Sequence, residues 1–246
     1  MANMNIATKL PLLLCLIGLM PSLLPPVAAA ATVLSNTDLS PDSPGTMGPG
    51  NYPGMFGEEG MHSVQAQSFT TGSESYVLGS ITPLISSASG GGFSMALYAN
   101  GDGTPGELLA TLTGNTMPEQ GLGNSYAPSS TVVLDAATTY WWVASIDAGI
   151  SEGRADMVVN PPGNFSATSA EGWSVGHSAQ QTTYGDVTGD WNVDGTYAVL
   201  FQVDATLAAA PEPTRMLLLG LGTFWLLLRR RRLRMNGRVS LKPPAG

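Results

Sequence analysis

Between residues 32 and 210 the chain has no cysteine, two histidines (His62 and His177) and a single base, Arg154. Without cysteine, this stretch can form neither a disulfide nor a thiolate, and its fold must be held by its core or by ions. A zinc site needs three or four His, Cys or carboxylate ligands, which two distant histidines do not supply. No Gly-x-Ser-x-Gly nucleophile elbow occurs, and a Ser-His-Asp triad would have to be built on His177. The stretch also lacks any long segment with apolar residues at i, i+3, i+4 and i+7, so it contains no amphipathic helix. It has no internal repeat of fixed period either. Acid, by contrast, is plentiful: the region carries all eighteen acidic residues of the chain except Glu212, a formal charge of −16 against −8 for the whole sequence. Such a surface repels phosphate backbones, which excludes nucleic-acid binding.

What fills the middle is β-type sequence: Gly, Ser, Thr, Asn and Pro punctuate short runs with period-2 alternation. The pattern predicts strands at 64–70, 76–81, 93–98, 108–112, 131–134, 138–146, 173–175 and 196–203. Asn100-Gly101-Asp102-Gly103-Thr104-Pro105-Gly106 is a tight turn cluster. The strongest strand, 138–146 (TTYWWVASI), is rich in β-branched and aromatic residues. Alternation puts Tyr140, Trp142, Ala144 and Ile146 on one face and Trp141 and Val143 on the other. Both faces are apolar, so this is either a central strand covered on both sides or one that leaves an aromatic open to solvent, which would be Trp141. About 180 residues suffice for one domain with a sizeable core. The expected fold is all-β, an antiparallel sandwich or jelly roll. Residues 32–63, rich in Pro, Gly, Met and Ser, read as an irregular lead-in to a domain at 64–207.

The two ends of the chain read as addresses. Lys9, an apolar stretch at 10–24 and the small residues Val27-Ala28-Ala29-Ala30-Ala31 describe a secretory signal peptide at 1–31, with cleavage after Ala29, Ala30 or Ala31. Cys15 lies within the apolar stretch behind Leu14, which is not the small residue a lipidation site wants. At the other end, Pro211-Glu212-Pro213 precedes an uncharged run at 216–228 (MLLLGLGTFWLLL) and then Arg229, Arg230, Arg231 and Arg232. As a helix rising ~1.5 Å per residue the run spans roughly 20 Å, short of the ~30 Å hydrocarbon core. Local thinning, or snorkelling of Arg215 and Arg229, closes that gap. The arginines set the orientation, inside for themselves and outside for everything before them.

This tail, at 208–235, resembles the PEP-CTERM sorting signal of Gram-negative bacteria. Pro211, Glu212 and Pro213 match its name-giving motif, 216–228 its hydrophobic segment and the four arginines its basic stop. Here a basic tail at 236–246 follows. The resemblance implies an exported protein, anchored in the inner membrane as a precursor and then passed to the cell surface or extracellular matrix. It also implies an exosortase, an integral-membrane transpeptidase-like enzyme, as processing partner, and a link to exopolysaccharide. A second resemblance covers 64–207: Gln67-Ser68-Phe69-Thr70-Thr71-Gly72, Leu97-Tyr98, Gly103-Thr104-Pro105-Gly106, Leu134-Asp135 and Thr139-Tyr140-Trp141 are similar to the choice-of-anchor R domain. That β-rich module precedes several kinds of bacterial surface anchor and has no established activity, so the likeness implies architecture and location only.

Three patterns are candidates for chemistry. Asp190-x-Asn192-x-Asp194-Gly195, with Asp186 just upstream, matches the first half of a calcium loop, in which alternate oxygen ligands and a Gly turn wrap a hard cation. Its twelfth position is Phe201 instead of a bidentate Glu, and a strand pattern follows, so a plain Asp/Asn/Gly turn is the competing reading. Trp141, Trp142, Trp173 and Trp191 are candidates for a sugar platform, with Trp141 the one to be exposed, although aromatics equally build a sandwich core. Paired carboxylates for glycoside hydrolysis are not singled out by anything in the sequence. The expected function is therefore non-catalytic and cofactor-free, calcium apart: a structural or adhesive envelope protein. A carbohydrate-binding module would require at least two tryptophans exposed in one plane. A secreted hydrolase would require convergent carboxylates, or His177 with a Ser and an Asp, in a cleft.

Overall fold

A computed structural model of the chain describes residues 29–208, apart from 39–44, 53–60, 148, 151–152 and 185–186. The signal-peptide body, the Pro211-Glu212-Pro213 motif, the apolar run at 216–228 and the four arginines lie outside the described residues. Among the described residues there are seventeen strands and no helix. In chain order they are β1 (Ala31–Ser35), β2 (Gly45–Met47), β3 (Gly50–Tyr52), β4 (Met61–Thr70), β5 (Tyr76–Pro83) and β6 (Ile85–Ser89). Then come β7 (Phe93–Gly101), β8 (Thr104–Thr113), β9 (Ala127–Pro128), β10 (Val133–Leu134), β11 (Thr139–Ile146) and β12 (Arg154–Val159). The last five are β13 (Thr168–Ser169), β14 (Ser174–Tyr184), β15 (Val187–Thr188), β16 (Asn192–Asp194) and β17 (Phe201–Leu207).

The strands form two sheets. The smaller has five strands in the order β10-β5-β17-β1-β13. The larger has twelve, along the path β2-β12-β3-β4-β11-β7-β8-β9, with β14 on the other side of β4, β15 and β16 on β14, and β6 on β12. The ladders are antiparallel, as in β4–β11 (Phe69 opposite Tyr140), β11–β7 (Trp142 opposite Leu97) and β1–β17 (Ala31 opposite Ala205). One continuous core lies between the sheets. Leu78, Ile81, Phe201 and Val203 of the smaller sheet meet Phe69, Met95, Leu97 and Trp142 of the larger. The Phe201 ring sits 5.6 Å from Trp142 and 6.3 Å from Phe69, centroid to centroid. This is the arrangement of a β-sandwich.

One buried amide ties the sandwich together. Gln67, on the core face of β4, accepts from the backbone N–H of Val199 at 2.8 Å and donates through Nε2 to the carbonyls of Gly176 (2.8 Å) and His177 (3.1 Å). Those two carbonyls belong to a bulge where the β4–β14 register shifts between Val175 and Ser178. Gly176 is required there, because a Cβ would run into Ser68 Oγ. The turn cluster becomes a hairpin, with β7 running to Gly101, β8 starting at Thr104 and only Asp102 (φ 56) and Gly103 (φ 88) between them. Positive φ at both central residues is the geometry that matches strand twist in a two-residue turn.

The lead-in segment corrects the sequence reading. Residues 32–63 are not simply irregular: β1 lies inside the five-stranded sheet, and β2 and β3 pair with β12. Val33 and Leu34 are core residues. The partners of β1 are β17 and β13, both far along the chain, so no local pattern announces the pairing. Strands β6 and β12, which pair with each other, were also unforeseen. The last strand runs Phe201–Leu207 rather than 196–203; Ala198, Val199 and Leu200 are buried ahead of it.

Candidate functional site

Strand β11 is central, with β4 on one side and β7 on the other, so both its faces can be covered. On the core face Trp142 is fully buried. On the outer face Trp141 is 2% exposed, packed with Ala66, Val143 and Ala179 under the partly buried Val64, Tyr98 and Trp191. Its indole N–H donates to Asn100 Oδ1 at 2.9 Å. This overturns Trp141 as an open sugar platform: Tyr98 from β7 and Trp191 from the segment before β16 roof it over. Trp173 is buried too, stacked on Phe69 at 6.0 Å. Of these four tryptophans only Trp191 keeps a partial opening, so the planar pair that a tryptophan platform requires does not form.

The acidic hairpin is only partly in view. Asn192 and Asp194 lie in β16, opposite Gln180 and Ser178 of β14. Asp194 Oδ1 accepts from the backbone N–H of Thr196 at 2.7 Å, an Asx turn that leads into Gly195. Asp190 is exposed, and Asp186 lies outside the described residues. Among the described residues no three His, Cys, Asp or Glu side chains gather as a metal site. The histidines sit apart in their roles: His62 Nε2 lies 3.0 Å from the carbonyl of Ile146, whereas His177 is exposed and meets the Phe165 ring edge-on at 5.8 Å.

The structure does assemble a site that the sequence reading did not name. At the edge of the sandwich, where β10 ends the smaller sheet and β8 lies near the end of the larger, a cleft of about 540 Å³ opens. Leu109 (42% exposed) and Val133 (52% exposed) stand on its walls. Its polar lining comes from Asn100, Asp135 and the first residues of β11. Asn100 is oriented by chemistry. Trp141 Nε1 and the Gly103 N–H (3.2 Å) can only donate, so they fix Oδ1 and turn Nδ2 the other way. Tyr140 is fixed likewise, because its hydroxyl accepts from the Asp135 N–H at 2.8 Å and keeps its own proton for another partner.

Burial, chiefly, holds the Tyr140 hydroxyl above its ordinary pKa; the nearby Asp135 charge pushes the same way and the Asp135 N–H opposes. The hydroxyl is therefore a neutral donor at physiological pH. Ala137, on the same rim, takes φ 49, a conformation uncommon outside glycine. The signals were present in the sequence, in the Asn100 turn and the Leu134-Asp135…Thr139-Tyr140 series. That they meet is a property of the two sheet edges, which local pattern does not show.

No protein-family model matches the chain, and no curated protein matches it. The sorting-signal and anchor-domain resemblances thus rest on the quoted residues alone. Among the described residues no helix is long and apolar enough to cross a membrane, and the run at 216–228 lies outside them.

Proposed function

We propose that this chain is an exported, non-catalytic envelope protein: an adhesive or structural β-sandwich delivered by a PEP-CTERM/exosortase system to the surface or matrix and associated there with exopolysaccharide. The single observation that carries this reading is the order Pro211-Glu212-Pro213, uncharged run 216–228, Arg229 to Arg232, set against a signal-peptide pattern at the other end. The fold supports it in one respect. Strand β17 ends at Leu207, four positions before Pro211, and its antiparallel neighbour β1 begins at Ala31 opposite Ala205. The first and last strands of the described domain thus pair, with the start of β1 beside the end of β17. The smaller sheet has β17, the strand before the tail, at its centre, which suits a domain held by that end.

The test follows the tail. With an epitope after Gly246, expressed in a host that has an exosortase, the wild-type chain should lose the epitope as it leaves the membrane. Replacing Pro211, Glu212 and Pro213 by Ala should leave epitope-bearing protein in the membrane fraction. Replacing Arg229, Arg230, Arg231 and Arg232 by Ser should release unprocessed protein from it. Equal shedding by wild type and both variants would defeat the sorting reading.

A further inference from the structure

We propose that the cleft between the β8 and β10 edges is a binding site for a neutral saccharide unit, most simply one hexose of a neutral polysaccharide chain. The proposal deepens the exopolysaccharide association above and rests on it for its biological setting, but not for its geometry. A pyranose presents a patch of C–H groups on its faces and a rim of hydroxyls that both donate and accept. The cleft offers the complement. Leu109 and Val133 are two of several exposed apolar side chains on this domain, and these two stand together on the walls of one opening.

Three of its lining residues carry a polar group without a partner among the described residues: Asn100 Nδ2 as a donor, the Tyr140 hydroxyl proton as a donor, and the Asp135 carboxylate as an acceptor. Two of the three are aimed by fixed bonds, so binding does not have to order them. A carboxylate beside amide and hydroxyl donors suits a vicinal diol, in which one hydroxyl donates and its neighbour accepts. The volume of about 540 Å³ lies within the range of small-molecule sites.

Charge narrows the class. No cation lines the cleft, Asp135 sits within it, and residues 32–210 carry −16. A uronic-acid or sulfated chain would bring like charge to like charge, so the site selects against anionic polymers. Tyr140, the aromatic residue of the lining, is buried, so no aromatic face lies open in the cleft and affinity per site is low. Avidity from many copies on one polymer supplies retention.

The experiment uses the full chain in a sugar-free zwitterionic detergent, titrated by calorimetry with a panel of neutral hexose hexamers and with a uronate hexamer. At least one neutral hexamer should bind and the uronate should not. Asp135→Ala and Val133→Glu, both at exposed positions, should each weaken binding at least ten-fold with an unchanged melting temperature. Met117→Ser, exposed but away from the cleft, should leave binding unaltered. Failure of every neutral hexamer, equal binding of the uronate, or binding that survives both cleft substitutions would overturn the site. None of these outcomes bears on epitope shedding by the tail, so failure here and failure of the sorting reading are told apart.

Discussion

The two tryptophans of β11 are neighbours in sequence and both buried, yet they belong to different parts of the molecule. Trp142 lies between the sheets, edge-on to Phe201, in a core supplied by nearly every long strand. Trp141 lies on the outside of the larger sheet in a small cluster of its own, beneath Tyr98 and Trp191. Their polar atoms differ as well: the Trp142 N–H is buried with no hydrogen-bond partner among the described residues, whereas that of Trp141 reaches Asn100. Burial alone therefore does not distinguish core from surface cover. The inner tryptophan is held by shape, and the outer one by a lid of side chains and one hydrogen bond that also orients a cleft residue.

The largest effect should come from the inner residue. Trp142→Ala removes a fully buried tryptophan from the inter-sheet core and should cost about 3–5 kcal/mol. Trp141→Ala should cost less, about 2–4 kcal/mol, because Tyr98 and Trp191 can settle into a cavity that opens toward solvent. Chemical denaturation of both variants measures the difference; a loss at Trp141 larger than at Trp142 would reverse the comparison. Asn100→Ala should cost about 1–2 kcal/mol by leaving the Trp141 N–H without its acceptor. It should also raise quenching of tryptophan fluorescence by acrylamide, a readout that truncation at a bare surface residue would not move.

How much of this was legible beforehand depends on the distance over which each feature is encoded. The alternation in 139–146, the Asp102-Gly103 hairpin and the all-β class are local and were readable from propensity and period alone. That both faces of β11 are apolar was also plain. What covers the outer face was not, because Tyr98 and Trp191 come from segments more than forty positions away on either side. Strand β1 was hidden for the same reason: five residues in a Pro- and Gly-rich neighbourhood become a strand because the distant β17 and β13 are there to pair with. The cleft is the extreme case, since Leu109 and Val133 mark a site only once two sheet edges bring them to one opening.

A pH limb sharpens the contrast between buried groups with and without partners. Burial raises the pKa of Tyr126 strongly and that of Tyr140 as well. An unfolded tyrosine ionises near ~10. The native state thus keeps its phenol protons where the unfolded chain has begun to lose them. The stability this contributes is fully present below ~10 and is lost as pH climbs from there through the folded values. Tyr126 also donates to the Asn115 carbonyl at 2.7 Å. Tyr126→Phe should therefore cost about 1 kcal/mol at neutral pH and flatten the alkaline fall in stability. Parallel alkaline limbs in wild type and variant would show that this phenol does not drive it.

The smallest effect is expected where the sequence looked most like a metal site. Asn192 and Asp194 are in a strand, Asp194 already accepts from the Thr196 N–H, and Asp190 is exposed. A loop committed to a cation would keep such oxygens turned toward a common centre. The strongly acidic stretch should still respond to salt, because self-repulsion at −16 is relieved by screening. Melting the full chain in sodium chloride, and then in millimolar calcium at matched ionic strength, separates screening from binding. Screening raises the melting temperature equally in both. A site at Asp186, Asp190, Asn192 and Asp194 would add a calcium-specific gain that grows with ligand concentration as RT ln(1 + [L]/Kd). We expect the two salts to give the same melting temperature, in wild type and in Asp190→Ala alike. A calcium-specific rise that vanishes in Asp190→Ala would instead make this outer hairpin, and not the inner core, the ion-dependent part of the fold.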